Sequence, residues 1–184
     1  MSLPRTYVSF SSSDITSYRM MLAWKAHEHI DFDFIDYQLA EAIDSTRERY
    51  IKDKLRPRIS RASRFILLIG ADTRLKTLFV KWEVEVAIEE KCILIGANLN
   101  HHWQPDLLRT PSWFSNVGIV FVPFSSRIIR HAIEDSTQPL TGNLAYPANL
   151  YTQLGYVIAG KEARIPPKPN PFAAPKPYNP FDRL

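Results

Sequence analysis

Three uninterrupted apolar runs constrain this chain most: Phe65 to Ile69 (FILLI), Cys92 to Ile95 (CILI) and Val117 to Val122 (VGIVFV). Each is too short for a helix and lacks polar alternation, which is how a strand buried on both faces reads. Gly70 closes the first and Gly96 follows the second. Two shorter candidates precede them: Thr6 to Phe10 (TYVSF), and Phe32 to Ile35 (FDFI), which ends at Asp36. Helical signals fill the gaps. Ser11-Ser12-Ser13-Asp14 can cap a helix through about Lys25. Ser45-Thr46-Arg47-Glu48 has capping-box spacing, and Ile51, Leu55 and Ile59 continue it to about Ile59. A helix is expected from about Thr77 to Glu90. Another, capped by Ser125 or Ser126, carries Ile128, Ile129, Ala132 and Ile133.

Strand and helix alternating in this order predict a doubly wound, flavodoxin-like α/β fold. It has a parallel sheet of about five strands with helices on both faces. The link from Asn98 to Asn116, holding Trp103, Pro105, Pro111 and Trp113, is long for such a connection. We read residues 1–138 as the α/β domain and 139–163 as a short extension. In the latter, Leu150, Tyr151, Leu154 and Ile158 share one helix face. Residues 164–184 form a Pro-rich extended tail. Half of the 14 prolines lie there, around the related stretches Lys168-Pro169-Asn170-Pro171-Phe172 and Lys176-Pro177-Tyr178-Asn179-Pro180-Phe181. Such a segment cannot build a core.

With 184 residues there is enough chain for one core. No apolar run approaches the roughly 18 residues of a membrane span. Met1 to Thr6 lacks the apolar segment of a secretory signal. The single Cys92 excludes an internal disulfide framework and fits a reducing compartment, so a cytoplasmic location is expected. The net charge of +4 is spread thinly. Its densest group, Lys52, Lys54, Arg56, Arg58, Arg61 and Arg64, reads as a solvated helix face rather than a nucleic-acid surface. The histidines, including the adjacent pair His101-His102, offer no metal-ligand spacing, so no metal and no resident cofactor are expected.

Ligands in open parallel sheets bind beyond the carboxyl ends of the strands. That directs attention to Ser9 to Ser13, Asp36 and Tyr37, Gly70 to Thr73, and Ala97 to Asn100. There is no G-x-G-x-x-G and no G-x-x-x-x-G-K-[ST] for a nucleotide or flavin carrier, and no G-x-S-x-G for a serine hydrolase. A receiver domain would need an aspartate where the third strand ends Leu68-Ile69-Gly70. The sharpest signal is on the following helix. At 100° per residue, Val80, Val84, Ala87, Ile88, Phe79 and Val86 form an apolar arc, and Glu83 falls inside it. Glu85 and Glu89 fall on the opposite side. A carboxylate on an inward face requires a partner or a role.

Phe79-Val80-Lys81-Trp82-Glu83-Val84, preceded by Leu67-Leu68-Ile69-Gly70-Ala71-Asp72-Thr73, resembles the TIR-like family that includes the TIR-like subunit of the Thoeris anti-phage system. Tyr7-Val8-Ser9-Phe10, Phe34-Ile35-Asp36 and Cys92-Ile93-Leu94-Ile95-Gly96 resemble other strands of that family. The order and spacing hold from about Arg5 to Ile133. The family often has Trp where this chain has Phe79. The resemblance implies an enzyme that cleaves the nicotinamide–ribose bond of NAD, its substrate, with Glu83 as the catalytic carboxylate. Substrate contacts are implied for Ser9, Phe10, Ser11, Ser12, Asp36, Tyr37, Gly70, Thr73 and Phe79. The product would be a cyclic or conjugated ADP-ribose signal sensed by a separate effector protein. A homo-oligomer is a further partner to test. The alternative is a non-catalytic TIR-like or flavodoxin-like interaction module.

Overall fold

The computed structural model describes residues 3–27, 30–35, 48–75, 78–114, 117–135, 142 and 144–158. The strands are β1 (Thr6–Ser9), β2 (Arg64–Ile69), β3 (Ile93–Asn98), β4 (Ile119–Pro123) and β5 (Leu144–Ala145). They lie side by side in that order, and every pair is parallel. The helices are α1 (Ile15–His27), α2 (Glu48–Ile59), α3 (Phe79–Glu89), α4 (Ser126–Asp135) and α5 (Ala148–Gln153).

The period of two along β2 sorts the side chains into two cores. Phe65, Leu67 and Ile69 face α2 and α3, packing with Tyr7, Ile51, Leu55, Val80 and Val84. Ile66 and Leu68 face the other way, with Val8, Tyr18, Met21, Ile128 and Ile129 from β1, α1 and α4. The sheet is thus covered on both faces, the doubly wound arrangement that the alternation predicts.

One expected strand is reduced to a vestige. Phe34 makes a single parallel bridge with Thr6 on the outer side of β1. The Thr6 amide donates to Asp33 O, and the Ile35 amide to Thr6 O, both at 2.9 Å. Phe32 and Phe34 are buried and stacked, while Asp31 is exposed and Asp33 partly so. That alternation of phenylalanine and aspartate suits a sheet margin, wet on one side. The fifth strand is instead β5, which pairs Leu144 with Val120 and Ala145 with Phe121. Only two residues long, it has no period to read. Because the Phe34 segment lies on one side of β1 and β2 on the other, the chain reverses direction across the sheet at β1. The crevice between β1 and β2 is therefore the topological switch point.

Within the extension, Tyr151 is wholly buried and donates through its hydroxyl to Trp103 O at 3.2 Å. The shared helix face stops short of Ile158, because α5 ends at Gln153; Ile158 is buried beyond it in non-helical chain. The long loop after β3 is tied down by Asn98, whose amide nitrogen donates to His102 O and Gln104 O at 2.8 Å each. Two members of the basic helix face are paired: Lys52 contacts Glu48 and Glu85, and Arg56 contacts Glu89 and Glu90. No described helix is long and apolar enough to cross a membrane. The capping box at Ser45 and the Pro-rich tail lie outside the described residues.

A buried carboxyl at the switch point

Glu83 is buried, at 8% exposure. Its position follows from local geometry. Tyr7 and Ser9 are two apart on β1 and so share the face that α3 covers. Val80, Val84 and Ala87 seat α3 on that face, and Glu83 is carried in beside Val84. The Tyr7 hydroxyl donates to one carboxyl oxygen at 2.9 Å, and the Ser9 hydroxyl to the other at 2.5 Å. Burial drives the carboxyl's pKa above its ordinary value, against the two hydrogen bonds, which favour the ionised form. Its outward neighbours are held by ion pairs instead: Glu85 meets Lys52 and Lys81, and Glu89 meets Arg56.

The helical arc needs two corrections. Phe79 and Ile88, at its margins, are 49% and 43% exposed, whereas Trp82, outside it, is buried. Helix α2 packs alongside α3 and widens the covered side toward Trp82. The Phe79 ring meets Trp82 edge-on, with centroids 5.5 Å apart.

The other candidates separate into groups. Ser9 is joined to Glu83. Phe10 lies in the α1 core, stacked on Tyr18 at 4.6 Å. Ser11 is buried and accepts a hydrogen bond from Ser13 at 2.9 Å, while Ser12 is exposed. Ser11, the N-cap of the turn before α1, makes no side-chain cap hydrogen bond. A 3-10 turn, Ser12–Asp14, leads into the helix, and the Asp14 amide donates to the Ser11 carbonyl at 2.7 Å. Thr73 is fully buried and closes the loop after β2: its hydroxyl accepts from the Gly70 amide at 2.8 Å and lies 3.4 Å from Leu68 O. Asp36 and Tyr37 lie outside the described residues.

Two participants were not singled out from the sequence. Tyr7 could have been found, since it shares a strand face with Ser9. Asp14 reads locally only as a capping residue. In the fold its carboxylate occupies the space where Gly70 lacks a side chain, and Oδ2 has no hydrogen-bond partner among the described residues. Burial and the neighbouring Asp72 push its pKa up, with Arg109 pulling the other way. Arg109 itself contacts Asp106 at 3.6 Å. A groove of about 810 Å³ opens elsewhere, lined by Ser125, Ser126, Arg127, Arg130 and His131 among others. Glu83 is not among its walls. The buried carboxyl is the stronger candidate, because it lies beside the switch point. Among the described residues no cluster of His, Cys, Asp or Glu could hold a metal.

A five-stranded, all-parallel sheet covered by helices on both faces is the fold of a TIR-like domain. The family described as Thoeris protein ThsB, TIR-like domain, matches residues 7–103, more than half of the chain. The chain belongs to that family, which ties it to the Thoeris anti-phage defence. No curated protein matches it.

Proposed function

We propose that this protein is an NAD-consuming enzyme that breaks the nicotinamide–ribose bond, with Glu83 as the catalytic carboxylate. The observation that carries this reading is the Glu83 carboxyl itself, buried beside the switch point and held by Tyr7 and Ser9. When the bond breaks, nicotinamide leaves with the electron pair as a neutral ring. Positive charge develops on the ribose. A fixed carboxylate in a low-dielectric site stabilises that oxocarbenium-like state without reorganising. It also accepts hydrogen bonds from the ribose hydroxyls. Ser9 and Tyr7 would fix its orientation and keep a fraction of it ionised despite burial.

The fate of the ADP-ribosyl group depends on the acceptor admitted: water, its own adenine or ribose, or another nucleophile. In a Thoeris setting the product would be a cyclic or conjugated ADP-ribose that switches on a separate effector protein. The test is incubation of concentrated protein with NAD, followed by chromatography, for wild type and Glu83→Gln. Wild type should release nicotinamide, and the variant should be slower by about 100-fold or more. Equal release by both would end the reading.

A further inference from the structure

The groove along α4 lies on the other side of the sheet from Glu83. Ile128 and Ile129 seat α4 in the core shared with α1, whereas Val80 and Val84 seat α3 in the opposite one. Its volume of about 810 Å³ is that of a small-molecule site. One wall is a helical stripe, Arg127, Arg130, His131 and Glu134, at spacings that put the four side chains on one face. The other wall is Leu154 and Gly155, at the end of α5. That wall is firmly built: the Leu154 amide donates to Leu150 O and the Gly155 amide to Thr152 O, each at 3.0 Å, and Tyr151 is buried beneath.

The two walls meet at one guanidinium. Gly155 has a φ of +73°, and a Cβ there would stand 3.0 Å from Arg127 Nη1. The Arg127 side chain is thus laid against the α5 turn. Among the described residues it has no hydrogen-bond or ion-pair partner. Glu134 takes the Nε of Arg130 at 3.0 Å, which leaves the Nη groups of Arg130 outside that bond.

This lining selects a ligand class. Two guanidinium groups against one carboxylate favour an anion. Two forks and the Ser125 hydroxyl call for more acceptors than the two oxygens of a carboxylate, and a phosphate supplies three. The groove is far larger than a phosphate, so the ligand has a body. Ile30 and Leu154 offer that body apolar contact, and the lining has no Phe, Tyr or Trp on which a base could stack. A sugar suits such walls better than a nucleobase.

We propose that this groove is a second ligand site that takes a sugar phosphate, with the phosphate held by Arg127 and Arg130. The assignment does not rest on the NAD reading, because the sheet separates the groove from Glu83.

The test is isothermal titration calorimetry of the full chain at low salt, with glucose 6-phosphate as the probe and glucose as its control. Circular dichroism first checks that each variant is folded. Wild type should bind glucose 6-phosphate with a Kd of about 1 mM or tighter, and glucose at least about tenfold more weakly. Arg127→Ala should weaken binding by about tenfold or more. Arg127→Lys should stay at least about threefold weaker than wild type, because an ammonium presents no fork. Arg109→Ala removes a cation beside the switch-point crevice and should change the affinity by less than about twofold. No saturable binding by wild type, equal binding of glucose, or an unchanged affinity in Arg127→Ala overturns the proposal. So does a loss at Arg109 as large as at Arg127, which would place the phosphate in the crevice instead.

Discussion

Adding the same methyl group to two glycines should give two different outcomes. Both are buried: Gly70 directly follows β2, and Gly96 lies inside β3 between Leu67 and Phe121. At Gly96 the new Cβ would stand 3.0 Å from Ile69 Cδ1 and 3.2 Å from carbons of Ile119 and Phe121. Those atoms belong to a packed core, so Gly96→Ala should cost about 1–3 kcal/mol, as overpacking does. At Gly70 the nearest atoms are the far end of one side chain, Asp14. Its Cγ would have to retreat by roughly 1 Å to reach an ordinary contact distance. No Oδ2 hydrogen bond to a described residue is lost in that move. An off-rotamer aspartate costs about 0.5–1.5 kcal/mol. Replacing glycine where φ is not left-handed returns about 0.4–1 kcal/mol through the unfolded chain. Gly70→Ala should therefore stay within about 1 kcal/mol of wild type, a Tm change within about 4 °C for a chain of this size. Thermal unfolding and urea titration measure both variants. A loss at Gly70 as large as at Gly96 would show that the space is not one that a mobile aspartate can vacate, and the placement of Asp14 would fall with it.

Glu83 should make stability depend on pH. Its folded pKa is raised by burial, so its stabilising contribution is full below the unfolded value and is lost as pH rises through the folded value. Glu83→Gln cannot ionise, so it should gain on wild type in urea unfolding as pH rises from acid to slightly alkaline; parallel profiles would refute the burial argument. Tyr151→Ala should cost about 3 kcal/mol or more, the range for a fully buried aromatic, readable from the urea midpoint; a smaller cost would mean that the extension is not integral to the core. Phe79→Ala, half-exposed, should change stability by about 0.5 kcal/mol or less while slowing NAD turnover. An unchanged rate would remove Phe79 from the site.

How much of this was legible in the sequence depends on how each residue signals. FILLI, CILI and VGIVFV announce central strands because burial on both faces leaves no polar position. Glu83 was legible because one turn of helix geometry places it among valines. The margins were not. FDFI has the alternation of a strand, but a single bridge holds it, and pairing is a property of two segments. Leu144–Ala145 is too short to carry any period. Asp14 was invisible as a neighbour of the crevice. Its placement depends on a glycine 56 positions later, and nothing local distinguishes it from an ordinary turn aspartate.

The separation between Glu83 and its partners has a kinetic meaning. Tyr7 and Ser9 lie 76 and 74 residues upstream of the carboxyl they hold. Closing a loop of that size is slow and gains nothing until both ends are packed. β1 must wait for β2 and α3 to emerge and dock before the carboxyl can leave water. A nascent chain on the ribosome therefore carries every residue of β1 long before it carries a site. Whatever reaction the carboxyl performs is withheld until the sheet is assembled, so completion of folding acts as the first checkpoint on the protein's activity.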